Sequence, residues 1–182
     1  MELISLKKVK DGRYLKNYEL TYLNKAGKEK TYEIISRREL ADATDLGKKS
    51  SGLSIIATCN DRLLLLYEFR MGINKRIYNL CAGMLEENES IEACVERELY
   101  EETGLKLEKI NKILPASYSA VAISDLKTHI VFAEVSGRLS DHSSDNEDIK
   151  AAFYSKTEVE HLLETEEFSS RAQMAAYFFT KF

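Results

Sequence analysis

The 182-residue chain predicts an α/β (α+β) fold in which a mixed sheet carries helices on both sides. Three observations point there. Short β-prone runs recur through the chain, some of them alternating apolar and polar residues. A helical pattern with apolar residues every four positions interrupts them over residues 91–103, and two more helical patterns close the chain.

Residues 3–38 read as strands. Tyr18, Leu20 and Tyr22 alternate with polar neighbours, Asn24-Lys25-Ala26-Gly27 supplies a turn, and Lys30–Ser36 continues with β-prone residues, so an antiparallel hairpin is expected. A lone hairpin is marginal and needs a partner. Residues 40–52, with Gly47, Lys48, Lys49, Ser50, Ser51 and Gly52, read as a connector. Leu53–Cys59, a turn at Asn60-Asp61 and Arg62–Phe69 follow, the last with four consecutive leucines as in a strand covered on both faces. Ile77–Leu80 lead into Cys81-Ala82-Gly83, where the chain is expected to turn into a loop. Further on, His129–Val135 and Ile149–Tyr154 predict strands, and the polar run Ser136–Asp148 predicts a long exposed loop of the kind that lines sites. Lys156–Glu164 and Ser169–Phe182 predict helices, the second with Ala172, Ala175, Ala176, Phe179 and Phe182 as its packing face. The expected division is an N-terminal β extension over 1–45 and a main domain over 46–182.

Composition narrows the function classes. A hydrophobic fraction of 44% suffices for a globular core, and a net charge of -4 with acids and bases interspersed argues against a nucleic-acid or membrane surface. Cys59, Cys81 and Cys94 have no paired spacing, so neither a disulfide framework nor a zinc site is expected, and a reducing cytoplasm is the simplest location. No run approaches a membrane span, and the first residues lack a leader pattern.

Residues 83–105 carry the chemistry. Ser90 is the expected N-cap, Glu92 suits the first turn, and Gly104 supplies a left-handed stop. Ile91, Val95 and Leu99 form the stripe to be buried. At about 100° per residue, Glu98, Glu101 and Glu102 fall within an arc of roughly 100°. Like charges so spaced repel, and Arg97, four residues before Glu101, relieves only part of that. A hard divalent cation such as Mg2+ would turn the repulsion into coordination; a solvated glutamate-rich face is the other reading of these residues taken alone.

Their setting decides between the two. Gly83, Glu89, Arg97-Glu98-Leu99, Glu101-Glu102 and Gly104-Leu105 match all nine specified positions of the Nudix box, and the chain resembles the Nudix hydrolases, in particular their ADP-ribose pyrophosphatase branch. The resemblance implies the α/β/α Nudix sandwich and an N-terminal β-hairpin extension that joins two chains into a homodimer. It also implies Mg2+, with Mn2+ as the alternative ion, and hydrolysis of a nucleoside diphosphate derivative, ADP-ribose or a nucleotide sugar first, to a nucleoside monophosphate and a phosphorylated partner. By the same resemblance Glu98 and Glu102 are the principal metal ligands, Glu101 is a further ligand or orienter, and the Ala82 carbonyl is a main-chain ligand. Gly83 lets the backbone approach the metal, and Glu89 and Arg97 brace loop against helix. Glu147 matches a loop glutamate proposed as base, and Arg70 matches the arginine of a Gln-(Tyr or Ile)-Arg segment that could hold a phosphate; Arg38 is a second candidate of that type. Phe69, Tyr78 and Tyr118 are either base-stacking residues or core.

The chain departs from that branch where specificity is set. Val121 stands where the branch carries proline, Ala122-Ile123-Ser124-Asp125-Leu126 replaces a glycine-rich turn and acid, and Cys81 replaces a proline before Ala-Gly. Dinucleotides, coenzymes and oxidised nucleotides are therefore alternative substrates. A nucleotide-binding sensor without turnover is the alternative from another class.

Overall fold

A computed structural model describes all residues, 1–182. Its strands are β1 (Glu2–Asp11), β2 (Lys16–Leu23), β3 (Glu29–Ser36), β4 (Gly52–Cys59), β5 (Arg62–Arg70), β6 (Lys75–Asn79), β7 (Cys81–Met84), β8 (Lys106–Tyr118), β9 (Lys127–Ser136) and β10 (Ile149–Tyr154). The helices are α1 (Ile91–Thr103), α2 (Lys156–Thr165) and α3 (Ser170–Lys181).

The contacts divide the chain into two units, one of Met1–Ser51 with Ala116–Thr128 and one of Gly52–Pro115 with His129–Phe182. In the first unit the expected hairpin is the second half of a three-stranded antiparallel sheet, β1-β2-β3. β1 supplies the missing partner, and Tyr18, Leu20, Ile34 and Leu40 bury a small core against Leu3, Leu6, Tyr22 and Leu46. The connector holds one 3₁₀ turn, Ala43–Asp45, capped by the Asp42 carboxylate, which accepts from Thr44 N.

In the second unit a mixed sheet follows the order β10-β5-β4-β9-β8, with β6 on β5 and β7 on β4. The four leucines of β5 alternate between its faces. Leu64 and Leu66 join Val95, Leu99 and Val131 under α1. Leu63 and Leu65 join Val159, Ala172 and Ala176 under α2 and α3. This three-layer arrangement follows from a strand apolar on both faces, which must be covered twice.

Two sequence expectations are corrected, and for Tyr78 one of two open alternatives is decided. Cys81-Ala82-Gly83 is not loop but part of β7, because its backbone groups pair with Leu53, Ser54 and Ile55 of β4. Tyr78 is core, packed against Tyr67, Tyr154 and Phe168. Phe182 lies one residue beyond α3 and is 91% exposed, so the packing face of that helix ends at Phe179. No helix is long and apolar enough to cross a membrane.

Candidate active site

Helix α1 is fixed at both ends by local chemistry. The Ser90 hydroxyl accepts from Ala93 N at 3.1 Å, and Gly104, at φ 71°, closes the last turn by donating its N–H to Tyr100 O. Between the caps Cys94, Val95 and Leu99 are buried, which anchors the helix on the sheet and fixes which way its glutamates face.

Glu98 is the most enclosed of the three, 8% exposed. Its carboxylate lies flush against Gly83 of β7, where a Cβ would collide with Oε1 and Cδ. Glycine at 83 therefore reflects a close approach between a strand backbone and a carboxylate from the facing helix. Burial raises the Glu98 carboxyl; the Arg97 guanidinium opposes the rise, and the Glu101 and Glu147 charges add to it.

Glu102 accepts from Ala82 N at 3.0 Å. Burial pushes its carboxyl up to about 8, against the Cys81 thiol and the Ala82 amide, which hydrogen-bond it, and with help from the Glu98 and Glu68 charges. Glu101 is different: its side chain is about half exposed, with one contact to Arg97 Nη1 at 3.2 Å.

Arg97 ties helix to loop. Nε and Nη2 donate to the two oxygens of Glu89 at 2.8 and 2.9 Å, Nη2 also to Met84 O at 3.0 Å, and Nη1 to Glu98 at 2.6 Å. The Arg97 fork holds Glu89 down to about 2, and Glu89 in turn accepts from Glu86 N at 2.9 Å.

The loop between β9 and β10 brings Glu147 within electrostatic reach of Glu98, and Ser144 N and Oγ donate to its carboxylate at 3.1 and 3.0 Å. A cavity of about 210 Å³ beside Glu102 is lined by Thr103, Ser140, Asp141 and Ile149 among others. At the end of β5, Arg70 turns back to Glu68, Nη1 to Oε2 at 3.4 Å. Arg38 belongs to the other unit, where Nη2 donates to Ser50 O at 2.5 Å. Asp125, in that unit too, accepts from Gly47 N at 3.3 Å.

No three His, Cys, Asp or Glu side chains are gathered so as to hold a metal ion by themselves. The donor set nonetheless suits a hard dication: Glu98 and Glu102 are oxygen donors whose charged forms are penalised by burial, and main-chain atoms of β7 lie beside both. Mg2+ takes one or two carboxylates and completes its shell with water and phosphate oxygens, so two buried glutamates suffice.

Sequence reasoning missed Glu68. It is 6% exposed and shares the parity of the inward-facing Leu64 and Leu66 of β5. That parity, read from an acid two positions after an inward leucine, was the available signal. Asn79, which donates to Glu68 at 2.5 Å, gave none, because their proximity depends on the β5–β6 register.

The NUDIX domain model matches residues 48–178. The chain is similar to the ADP-sugar pyrophosphatase of Mus musculus, 30% identical over 134 residues, or 71% of this chain and 59% of that protein. It is also similar to the ADP-ribose pyrophosphatase of Bacillus subtilis, 30% identical over 95 residues (52% of this chain, 51% of that one). A third relative is the GDP-mannose pyrophosphatase of Yersinia pestis, 30% identical over 105 residues (53% and 51%). The matches thus span about half to three fifths of these relatives. The fold is shared with a solved ADP compounds hydrolase at a TM-score of 0.77 and 19% identity, over 98% of this chain and 91% of that one. With the box complete and the matched model covering most of its length, the chain belongs to the NUDIX family.

Proposed function

We propose that the protein is a Mg2+-dependent pyrophosphatase that splits a nucleoside diphosphate derivative into a nucleoside monophosphate and a phosphorylated partner. ADP-ribose and nucleotide sugars are its first candidates. The observation that carries this reading is the pair of desolvated carboxylates, Glu98 and Glu102, held beside the β7 backbone at Ala82 and Gly83. The names of the three relatives, an ADP-sugar, an ADP-ribose and a GDP-mannose pyrophosphatase, agree in a nucleoside diphosphate joined to a sugar.

Glu98 and Glu102, with the Ala82 carbonyl and with Glu101 as a further ligand or orienter, would hold the ion, and Mn2+ would fit the same oxygens. Bound there, the dication supplies neutralisation of charge on the phosphoryl oxygens. Arg70 adds a fixed positive charge for a phosphate oxygen. Glu147 takes a proton from the attacking water, whose oxygen bonds to phosphorus as the anhydride P–O bond breaks, and the departing phosphate leaves with that electron pair. Arg97 and Glu89 keep the loop and helix registered and touch no substrate.

The test is a panel of ADP-ribose, ADP-mannose, GDP-mannose, a dinucleotide, a coenzyme and an oxidised nucleotide, with and without Mg2+, following nucleoside monophosphate formation. Turnover of the sugar derivatives that stops in chelator supports the reading. Binding without turnover for every compound makes the protein a sensor instead. We also propose that residues 1–45 join two copies into a homodimer, as exposed Ile4, Val9, Tyr14 and Leu15 on and beside β1 favour; light scattering of the full chain against one lacking them would measure it.

A further inference from the structure

Glu68 is a buried acid without a part in the chemistry above. Burying a carboxylate is costly unless its oxygens are hydrogen-bonded, and both of them are. Oε1 accepts from Asn79 Nδ2 at 2.5 Å and Oε2 from Arg70 Nη1 at 3.4 Å. The chain of partners continues away from the site. Asn79 Oδ1 accepts from Ser169 Oγ at 2.6 Å, and Ser169 is the N-cap of α3, its Oγ accepting from Ala172 N at 3.3 Å.

These bonds fix one another's direction. A carboxylate can only accept, so Asn79 turns its NH2 to Glu68 and is left with its Oδ1 facing Ser169. The Ser169 hydroxyl donates to that oxygen while accepting from Ala172 N. The remaining Glu68 oxygen is left for an arginine, which can only donate. The Arg70 side chain is 56% exposed, whereas that of Glu68 is 8% exposed, so the guanidinium is held from below and open above.

The relay ends within electrostatic reach of Glu102. The Glu68 charge acts on Glu102, and Glu68 pairs across the sheet with Ile149, two residues after Glu147. Phe69 N, between Glu68 and Arg70, donates to Asp148 O at 3.0 Å. We propose that Glu68 is a positioning residue for substrate binding: fixed by Asn79 and Ser169, it aims the Arg70 guanidinium at a phosphate of the nucleoside diphosphate lying against Glu98 and Glu102. This rests on the pyrophosphatase reading of the site. An unanchored arginine on a strand end would have to give up rotamer freedom on each binding event; here that cost is met on folding.

The test uses the full chain with Mg2+ and ADP-ribose as probe. Wild-type turnover is measured first, with GDP-mannose and the rest of the panel taking the place of ADP-ribose if it is not cleaved; absence of turnover for every compound would overturn the pyrophosphatase reading and this inference with it. Given turnover, Glu68→Gln keeps the shape but pairs one partner well instead of two, and KM should rise about tenfold with kcat within about threefold. Arg70→Ala should raise KM at least as far, and Glu68→Gln added to Arg70→Ala should change little more, because both remove one interaction. Asn79→Ala, which leaves Glu68 in place, should raise KM in the same non-additive way and stands in if Glu68→Gln folds poorly. Unchanged KM in Glu68→Gln and Asn79→Ala, or KM effects of either that multiply with Arg70→Ala, would overturn the role of Glu68 and leave the pyrophosphatase reading standing.

Discussion

Arg97 and Glu89 face each other fork to fork, Nε to Oε1 at 2.8 Å and Nη2 to Oε2 at 2.9 Å, across the junction of the loop and helix α1. The same guanidinium reaches Glu98 at 2.6 Å, so one side chain both closes the loop and restrains a buried glutamate. Lysine keeps the charge of Arg97 but cannot make the paired contact. Arg97→Lys should lower unfolding stability by about 2 kcal/mol, the worth of a hydrogen bond to a charged group, read from denaturant midpoints at unchanged m-value.

Glu98→Gln tests the metal role without changing shape. The variant should unfold as cooperatively as wild type while kcat falls about a hundredfold or more, the scale of losing one electrostatic stabiliser of a transition state. Activity near the wild-type level would remove Glu98 from the site.

Gly83→Ala separates geometry from charge. The added Cβ meets the Glu98 carboxylate, which must swing away while its charge is retained. A displacement of about 1 Å at a reacting centre can cost about a hundredfold, so kcat should fall on that scale, with a melting temperature that moves by a few degrees at most.

Glu102 links stability to pH. Its carboxyl is held at about 8 in the folded chain by burial, above its ordinary value of 4.5. Between these values the folded state keeps a proton that the unfolded state has lost, so its contribution is full below about 4.5 and is lost as pH rises through about 8. In chelator, wild type should therefore lose stability between pH 5 and pH 9 relative to Glu102→Gln, which cannot ionise. Mg2+ favours the charged form, so it should raise the melting temperature of wild type more at pH 9 than at pH 6. A parallel pH profile for the two proteins would place the Glu102 carboxyl in ordinary solvation.

Glu147→Gln probes the loop between β9 and β10. If Glu147 takes the water proton, kcat should drop about a hundredfold with KM little changed, since the loop's own bonds from Ser144 survive on the amide oxygen. A rise in KM at constant kcat would make it a binding residue instead.

Helix α1 was legible from sequence because everything that makes it a helix is local: a Ser90 cap, apolar residues four apart and a Gly104 stop. The four leucines of β5 likewise announced a strand covered twice. Strand β1, Glu2–Asp11, was less legible, since it alternates poorly and is held as a strand by pairing with β2.

By itself the sequence determined the box and the common direction of its three helix glutamates, because spacing along a helix converts directly into direction in space; the ion and the bond were what the resemblance to the Nudix hydrolases implied. Tertiary structure decided how those glutamates differ: Glu98 enclosed against Gly83, Glu102 bonded to Ala82, Glu101 left half in solvent. It alone joined Ser169, Asn79, Glu68 and Arg70, residues up to 90 positions apart at a single contact. The reason is physical: burial and cross-strand neighbours depend on register and on which layer covers a face, and neither is a property of local sequence.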